Sequence, residues 1–132
     1  MKKRTFLTLA ASASLLPTFA FAEGFIDYTP GLIQSELAAG NTVFVDYSAT
    51  WCSTCARQER VIGALKTANP AYEAAMTFIK VDWDTYGRDE VVTSRSIPRR
   101  STLIVLRGDD ELGRIVAGTR EDDIQALMDL GL

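Results

Sequence analysis

The chain has 132 residues, with 14 Lys and Arg against 17 Asp and Glu, two cysteines and no histidine. Without imidazole there is no His-based catalytic triad, no His metal site and no haem attachment through Cys-x-x-Cys-His, since Ala56 follows Cys55. Two cysteines cannot complete a four-ligand structural zinc site within one chain, and a two-Cys copper site would be exposed and lack a third ligand. The acidic balance argues against nucleic acid and against an anionic membrane face.

Met1 to Arg4 is a short basic head, Thr5 to Leu16 is apolar and small, Pro17 breaks the run, and Ala20-Phe21-Ala22 has the A-x-A form of a cleavage site. This is the three-part pattern of a secretory signal peptide. Residues 1–22 are therefore expected to be removed, leaving one domain over 23–132 in a periplasmic location. The apolar run is diluted by Thr and Ser and falls short of the roughly 20 residues of a membrane span, so no stable anchor is expected after cleavage. No cysteine follows it to carry a lipid. Lys3-Arg4-Thr5-Phe6-Leu7 is also similar to a twin-arginine export motif, with Lys in the first place, which leaves the export route open. Lys2, Lys3 and Arg4 fall within the leader, so the mature chain is more acidic still.

The mature chain alternates strand and helix patterns. Phe25 to Tyr28 suits a short first strand. Pro30 to Ala39 carries Leu32, Ile33 and Leu37 at helical spacing, with Gly40 as a stop. Thr42 to Tyr47 is β-branched, aromatic and almost wholly apolar, the pattern of a strand covered on both faces. Ser53 to Thr67 reads as a helix, and Ala71 to Met76 as another helical turn or two. Thr77 to Val81 is a second buried strand, and Asp89 to Arg95 a short helix. Ser101 to Leu106 is a third strong strand. Gly108-Asp109-Asp110 supplies turn chemistry, and Leu112 to Ala117 the return strand of a hairpin. Thr119 caps a last helix, with Asp122 three residues on. The expected architecture is α/β: a central mixed sheet of four to five strands with helices on both faces. The order β-α-β-α-β-α-β-β-α predicts parallel pairing with an antiparallel closing hairpin.

Both cysteines lie in Ala49 to Glu59, ATWCSTCARQE. Cys52 ends a strand-to-helix turn and Cys55 sits one turn into the helix. A helix N-terminus stabilises negative charge and lowers a thiol pKa. Cys52 is thus expected to be the more exposed and more acidic sulfur, with Cys55 behind it. A staple here would close so short a loop that it would contribute only about 2 kcal/mol. A redox pair is favoured over a staple or a metal site.

Asp46 through Cys55, DYSATWCSTC, resembles the active-site segment of the thioredoxin family, and the resemblance extends over essentially the whole mature chain. Ile97-Pro98 is similar to the family's cis-proline step, Gly118 to a glycine near the final strand, and Lys80 to a lysine on the middle strand. The resemblance implies that Cys52 is the nucleophile and Cys55 the resolving thiol, the two forming a reversible disulfide. Trp51 would shield the pair and line the partner surface. Asp46 interrupts an apolar strand, so its carboxylate should be costly and its pKa raised. It would serve as proton acceptor for Cys55, against the alternative of an ordinary solvated Asp at a sheet end. Lys80 would be its neighbour. Pro98, in cis, would leave the Ile97 amide free to pair with an extended partner segment.

Departures from the family pattern are the Ser53-Thr54 dipeptide in place of Gly-Pro, Ser48 in place of a second Trp, and Arg60 in place of a Pro. Arg99-Arg100-Ser101 also makes a longer junction after Pro98. Arg99 and Arg100 could form a basic rim that favours the Cys52 thiolate or an acidic partner, or be a solvated loop. Glu59 is similar to a residue of extracytoplasmic relatives, including the carboxy-terminal domain of membrane electron-transporting disulfide reductases. The expectation is an exported, monomeric thiol–disulfide oxidoreductase that needs no cofactor or metal. It would reduce disulfides of exported partner proteins with electrons from a membrane donor. The rivals are a dithiol oxidase of the same fold and a non-enzymatic binding or assembly factor with a structural Cys pair.

Overall fold

The computed structural model describes residues 24–132. The expected leader, residues 1–22, lies outside the described residues.

Five strands form one sheet in the order β1-β3-β2-β4-β5: β1 Ile26–Asp27, β2 Thr42–Ser48, β3 Met76–Asp82, β4 Thr102–Arg107 and β5 Asp110–Val116. The helices are α1 Leu32–Ala38, α2 Ser53–Ala68, α3 Ala71–Ala75, α4 Trp83–Tyr86, α5 Glu90–Thr93 and α6 Glu121–Asp129. The mixed sheet and its two helical layers agree with the expected α/β class. β2 is the central strand, and all seven of its residues are buried, as its apolar run requires.

Strand alternation divides the core. Phe44 on β2, Phe78 on β3 and Leu103 and Val105 on β4 face one side, where Ile62 and Leu65 of α2 and Ile124 and Leu127 of α6 cover them. Val43, Val45 and Tyr47 face the other side with Ile79, Val81, Ile33 of α1 and Val91 and Val92 of α5.

Two expectations about the chain path change. The short helix α4 was not legible, and β4 pairs antiparallel with β2 rather than parallel. The reason is length. α4 and α5 have four residues each, so each spans about 6 Å. A seven-residue strand is about 23 Å long. Such helices cannot carry the chain back along the sheet, so β4 starts at the end where β3 stops and runs the opposite way. Antiparallel pairing thus reaches the centre of the sheet. The N-cap of the last helix is Arg120, with no side-chain cap, rather than Thr119.

A fully buried leucine on β4 reports on this core. Leu103→Ala should lower the unfolding free energy by about 2–5 kcal/mol. Urea titration should show a lower midpoint with an unchanged slope.

Candidate active site

α2 starts directly after the carboxyl end of the central strand, so its first turn sits at that end of the sheet. Cys52 is the N-cap, with extended backbone, and its Sγ accepts a hydrogen bond from the Cys55 N–H at 3.2 Å. The sulfur takes the place that Ser, Thr or Asp usually fills at a helix start. Both cysteines are free thiols. Cys52 is 4% exposed and Cys55 1%. The expected order of exposure holds, and Cys52 lines an open groove of about 560 Å³ together with Ala49, Ala56, Glu59, Lys80 and Asp82.

The two thiols differ as their places imply. Burial by itself would raise the Cys52 thiol. Hydrogen bonds from Cys55, from Ser101, from the Cys55 backbone N–H and from Arg100 outweigh it and bring it down from 9.0 to about 7. Burial pushes the Cys55 thiol up, and its hydrogen bond to Cys52 adds to that. One sulfur is therefore prepared to ionise near neutral pH while the other keeps its proton.

Asp46 lies on β2, on the face covered by α2, with neither oxygen exposed and no well-formed hydrogen bond to either. Burial raises its pKa well above the usual 3.8, and the nearby Glu59 charge raises it further while Lys80 opposes the rise. Lys80 is Asp46's register partner on β3, so the two side chains share a face. It holds Glu59 at 2.8 Å, and Ser48 Oγ donates to the same Glu59 oxygen at 2.9 Å. Glu59 and Lys80 line the groove; Asp46 lies behind them. Where the sequence suggested a lone carboxylate and a neighbouring lysine, the fold assembles a cluster of Asp46, Glu59, Lys80 and Ser48.

Trp51 is 58% exposed. Its Nε1 donates to the Asp84 carboxylate at 2.9 Å, and the Arg100 guanidinium lies 4.4 Å from its ring centroid. The indole is thus clamped at the mouth of the pair between an acid and a base. Ser53 and Thr54 open α2 and line a separate small depression with Arg57 and Arg60. Arg100 approaches Cys52, whereas Arg99 Nε donates to the Arg100 carbonyl at 2.9 Å.

The proline step is corrected. Every peptide bond among the described residues is trans, that of Ile97–Pro98 included. Pro98 is exposed in the loop before β4. The Ile97 N–H donates to the Val92 carbonyl at 3.0 Å, and its side chain is buried beside Val91 and Val92. Ile97 offers a partner neither its amide nor its side chain.

The group that lies against the sulfurs is Ser101, which sequence reasoning missed. Its Oγ is 3.2 Å from Cys52 Sγ and 3.0 Å from Cys55 Sγ. The backbone there has φ +63°, and its N–H donates to the Tyr47 carbonyl at 2.7 Å. Its carbonyl accepts from Gln58 Nε2 at 3.0 Å, and the same Gln58 nitrogen reaches the Gly118 carbonyl at 2.9 Å. The one available signal was the length of the junction: three residues separate Pro98 from β4, and the last of them is the neighbour of the pair.

A family model described as Thioredoxin matches residues 28–130, and the chain belongs to that family. Thioredoxin H5 of Oryza sativa subsp. japonica is 29% identical over 114 residues, covering 76% of this chain and 80% of that protein. The crystal structure of Trxlp from Edwardsiella tarda superposes with a TM-score of 0.65 at 30% identity, over 80% of this chain and 95% of the other. Thioredoxin NaTrxh of Nicotiana alata, at 22% identity, shares the fold with a TM-score of 0.65 over 82% of this chain and 92% of its own. Members of the family are thiol–disulfide oxidoreductases, and the close Cys52–Cys55 pair carries that general reaction here.

Two measurements check this site. Iodoacetamide should modify reduced protein at Cys52 with a midpoint near pH 7 and leave Cys55 unmodified, as read by fragment mass spectrometry. Asp46 tests the buried carboxyl. Its folded pKa is raised, so the folded chain keeps a proton that the unfolded chain loses above the usual 3.8. Stability therefore falls as pH climbs from that value towards the raised one. Asp46→Asn removes this loss. Thermal unfolding should show the variant more stable than the unmutated protein at about pH 8, with the gain gone at about pH 4.

Proposed function

We propose that the protein is an exported thiol–disulfide oxidoreductase that reduces disulfides in periplasmic partner proteins. The observation that carries the reading is Cys52 Sγ capping α2, where hydrogen bonds from the Cys55 N–H and Ser101 help to lower its thiol to about 7. A more stabilised thiolate makes the reduced form more stable and the pair more oxidising. Strongly oxidising catalysts of this chemistry hold their nucleophile at about 3.5, and reducing ones at about 7. Export rests on the leader pattern of residues 1–22.

The Cys52 thiolate attacks one sulfur of the partner disulfide; the other sulfur leaves as a thiolate and takes a proton. Asp46 first releases its own proton to water past Glu59 and Lys80; the resulting carboxylate, made a strong base by its raised pKa, takes the Cys55 proton as that sulfur attacks Cys52 Sγ. The Cys52–Cys55 disulfide forms, and the partner departs with both sulfurs reduced. Glu59 and Lys80, lining the groove in front of Asp46, give that proton a route to water. A dithiol donor from the membrane returns the two electrons. Trp51 and Arg100 frame the approach to Cys52, and a partner strand would lie across them.

Cys55→Ser should accumulate mixed disulfides with exported proteins, resolved on non-reducing gels and lost on reduction. Cys52→Ser should accumulate none. Equilibration of the pair against glutathione or dithiothreitol should give a reduction potential of about −250 mV or lower, and a value of about −120 mV would assign it to dithiol oxidation instead.

A further inference from the structure

We propose that the Ser101 hydroxyl is a catalytic group of the pair, a rotating donor that serves whichever of the two sulfurs carries the negative charge. The inference rests on the thiol–disulfide reading of the same site.

The geometry is specific. Ser101 Oγ touches both sulfurs, at 3.2 Å and 3.0 Å, from a fully buried position. A hydroxyl has one hydrogen and two acceptor lone pairs, so it cannot donate to both. Hydrogen bonds to a charged acceptor are about twice as strong as neutral ones. When Cys52 is the thiolate, the hydroxyl donates to Cys52, beside the Cys55 S–H and the Cys55 backbone N–H. When Cys52 enters the mixed disulfide, its charge disappears. The hydroxyl then turns to the Cys55 sulfur as that thiol loses its proton to Asp46. The O–H bond of Ser101 is never broken; only its direction changes.

The backbone argues that the side chain matters. At φ +63° a glycine would be at ease, whereas serine there carries strain. A purely structural demand would favour glycine. Yet the peptide groups on either side of Ser101 are pinned to Tyr47, Gln58 and Ala117, and the resulting Cβ direction brings the hydroxyl to the sulfurs.

The test uses two variants of the reduced, full-length protein, Ser101→Gly and Ser101→Ala. Glycine suits the backbone, so Ser101→Gly should unfold at the same temperature as the unmutated protein or higher. The charged and titratable groups about the pair, Asp46 from β2, Glu59 from α2, Lys80 from β3 and Arg100 before β4, are the same in both variants. Cys52 also keeps its bond from the Cys55 N–H. In both variants the pH midpoint of Cys52 alkylation should rise by about one unit, and the rate below the midpoint should fall roughly tenfold, the size expected for one charge-assisted hydrogen bond. Resolution of a preformed mixed disulfide by Cys55 should slow in both as well. Midpoints that coincide with the unmutated one in both variants would overturn the proposal. So would a shift in Ser101→Ala alone, which would trace the effect to backbone strain. Insulin reduction by the unmutated protein separates the two readings. If it fails while the midpoints shift, the proposed function is wrong and the role of Ser101 stands.

Discussion

A sulfur caps α2 where helices ordinarily place an oxygen, and the Cys55 N–H that it satisfies is one of the donors left without an intrahelical partner. An ordinary N-cap contributes about 1 kcal/mol to a helix. A thiolate in that position draws also on the helix dipole, so capping and acidification of Cys52 are one interaction. The central strand places it. β2 ends at Ser48, and the turn of Ala49, Thr50 and Trp51 delivers Cys52 to the first turn of α2. Ile62 and Leu65 then hold α2 against Phe44, Phe78 and Leu103, so the cap keeps its relation to the sheet through a packed apolar layer.

The same packing accounts for the polar groups beneath the pair. Asp46 occurs on a strand whose other residues on that face pack under α2, and burial without a donor makes its charged form costly. Glu59 lies one helical turn beyond Cys55, on the stretch of α2 above Asp46, and Lys80 arrives from the adjacent strand. One carboxyl and one ammonium thus line the groove, with the Asp46 carboxyl buried behind them. Their arrangement lets Asp46 hold a proton at a pH where a surface aspartate would have lost it, while Glu59 and Lys80 neutralise each other at the water side.

Gln58 links the site to the far half of the chain. Its one amide nitrogen bridges the Ser101 and Gly118 carbonyls, tying α2 to the start of β4 and to the loop after β5. The positive φ angles of Ser101 and Ala117 occur at these same two places, where the Ala117 N–H donates to the Ser101 carbonyl at 2.8 Å. Backbone strain is concentrated where three elements meet under the sulfurs, and the hydrogen bonds around it keep it there.

Periodicity and composition by themselves determined the strands, the longer helices and the α/β class, because burial on both faces of a sheet demands continuous apolar runs and one covered face of a helix demands apolar residues three and four apart. The spacing of Cys52 and Cys55 across a strand-to-helix turn determined the chemistry, since the electrostatics of a helix N-terminus are local. The direction of β4, the trans bond before Pro98, the Glu59–Lys80–Asp46 cluster and the place of Ser101 were decided only by tertiary structure. Each depends on residues far apart in the chain meeting at fixed distances. The neighbour of the pair could not be read from Ile97-Pro98, because the loop length between Pro98 and β4 selects which residue arrives there. Whether a hydroxyl lies 3 Å from two sulfurs is settled by how β2, α2 and the loop after β5 pin the backbone of Ser101.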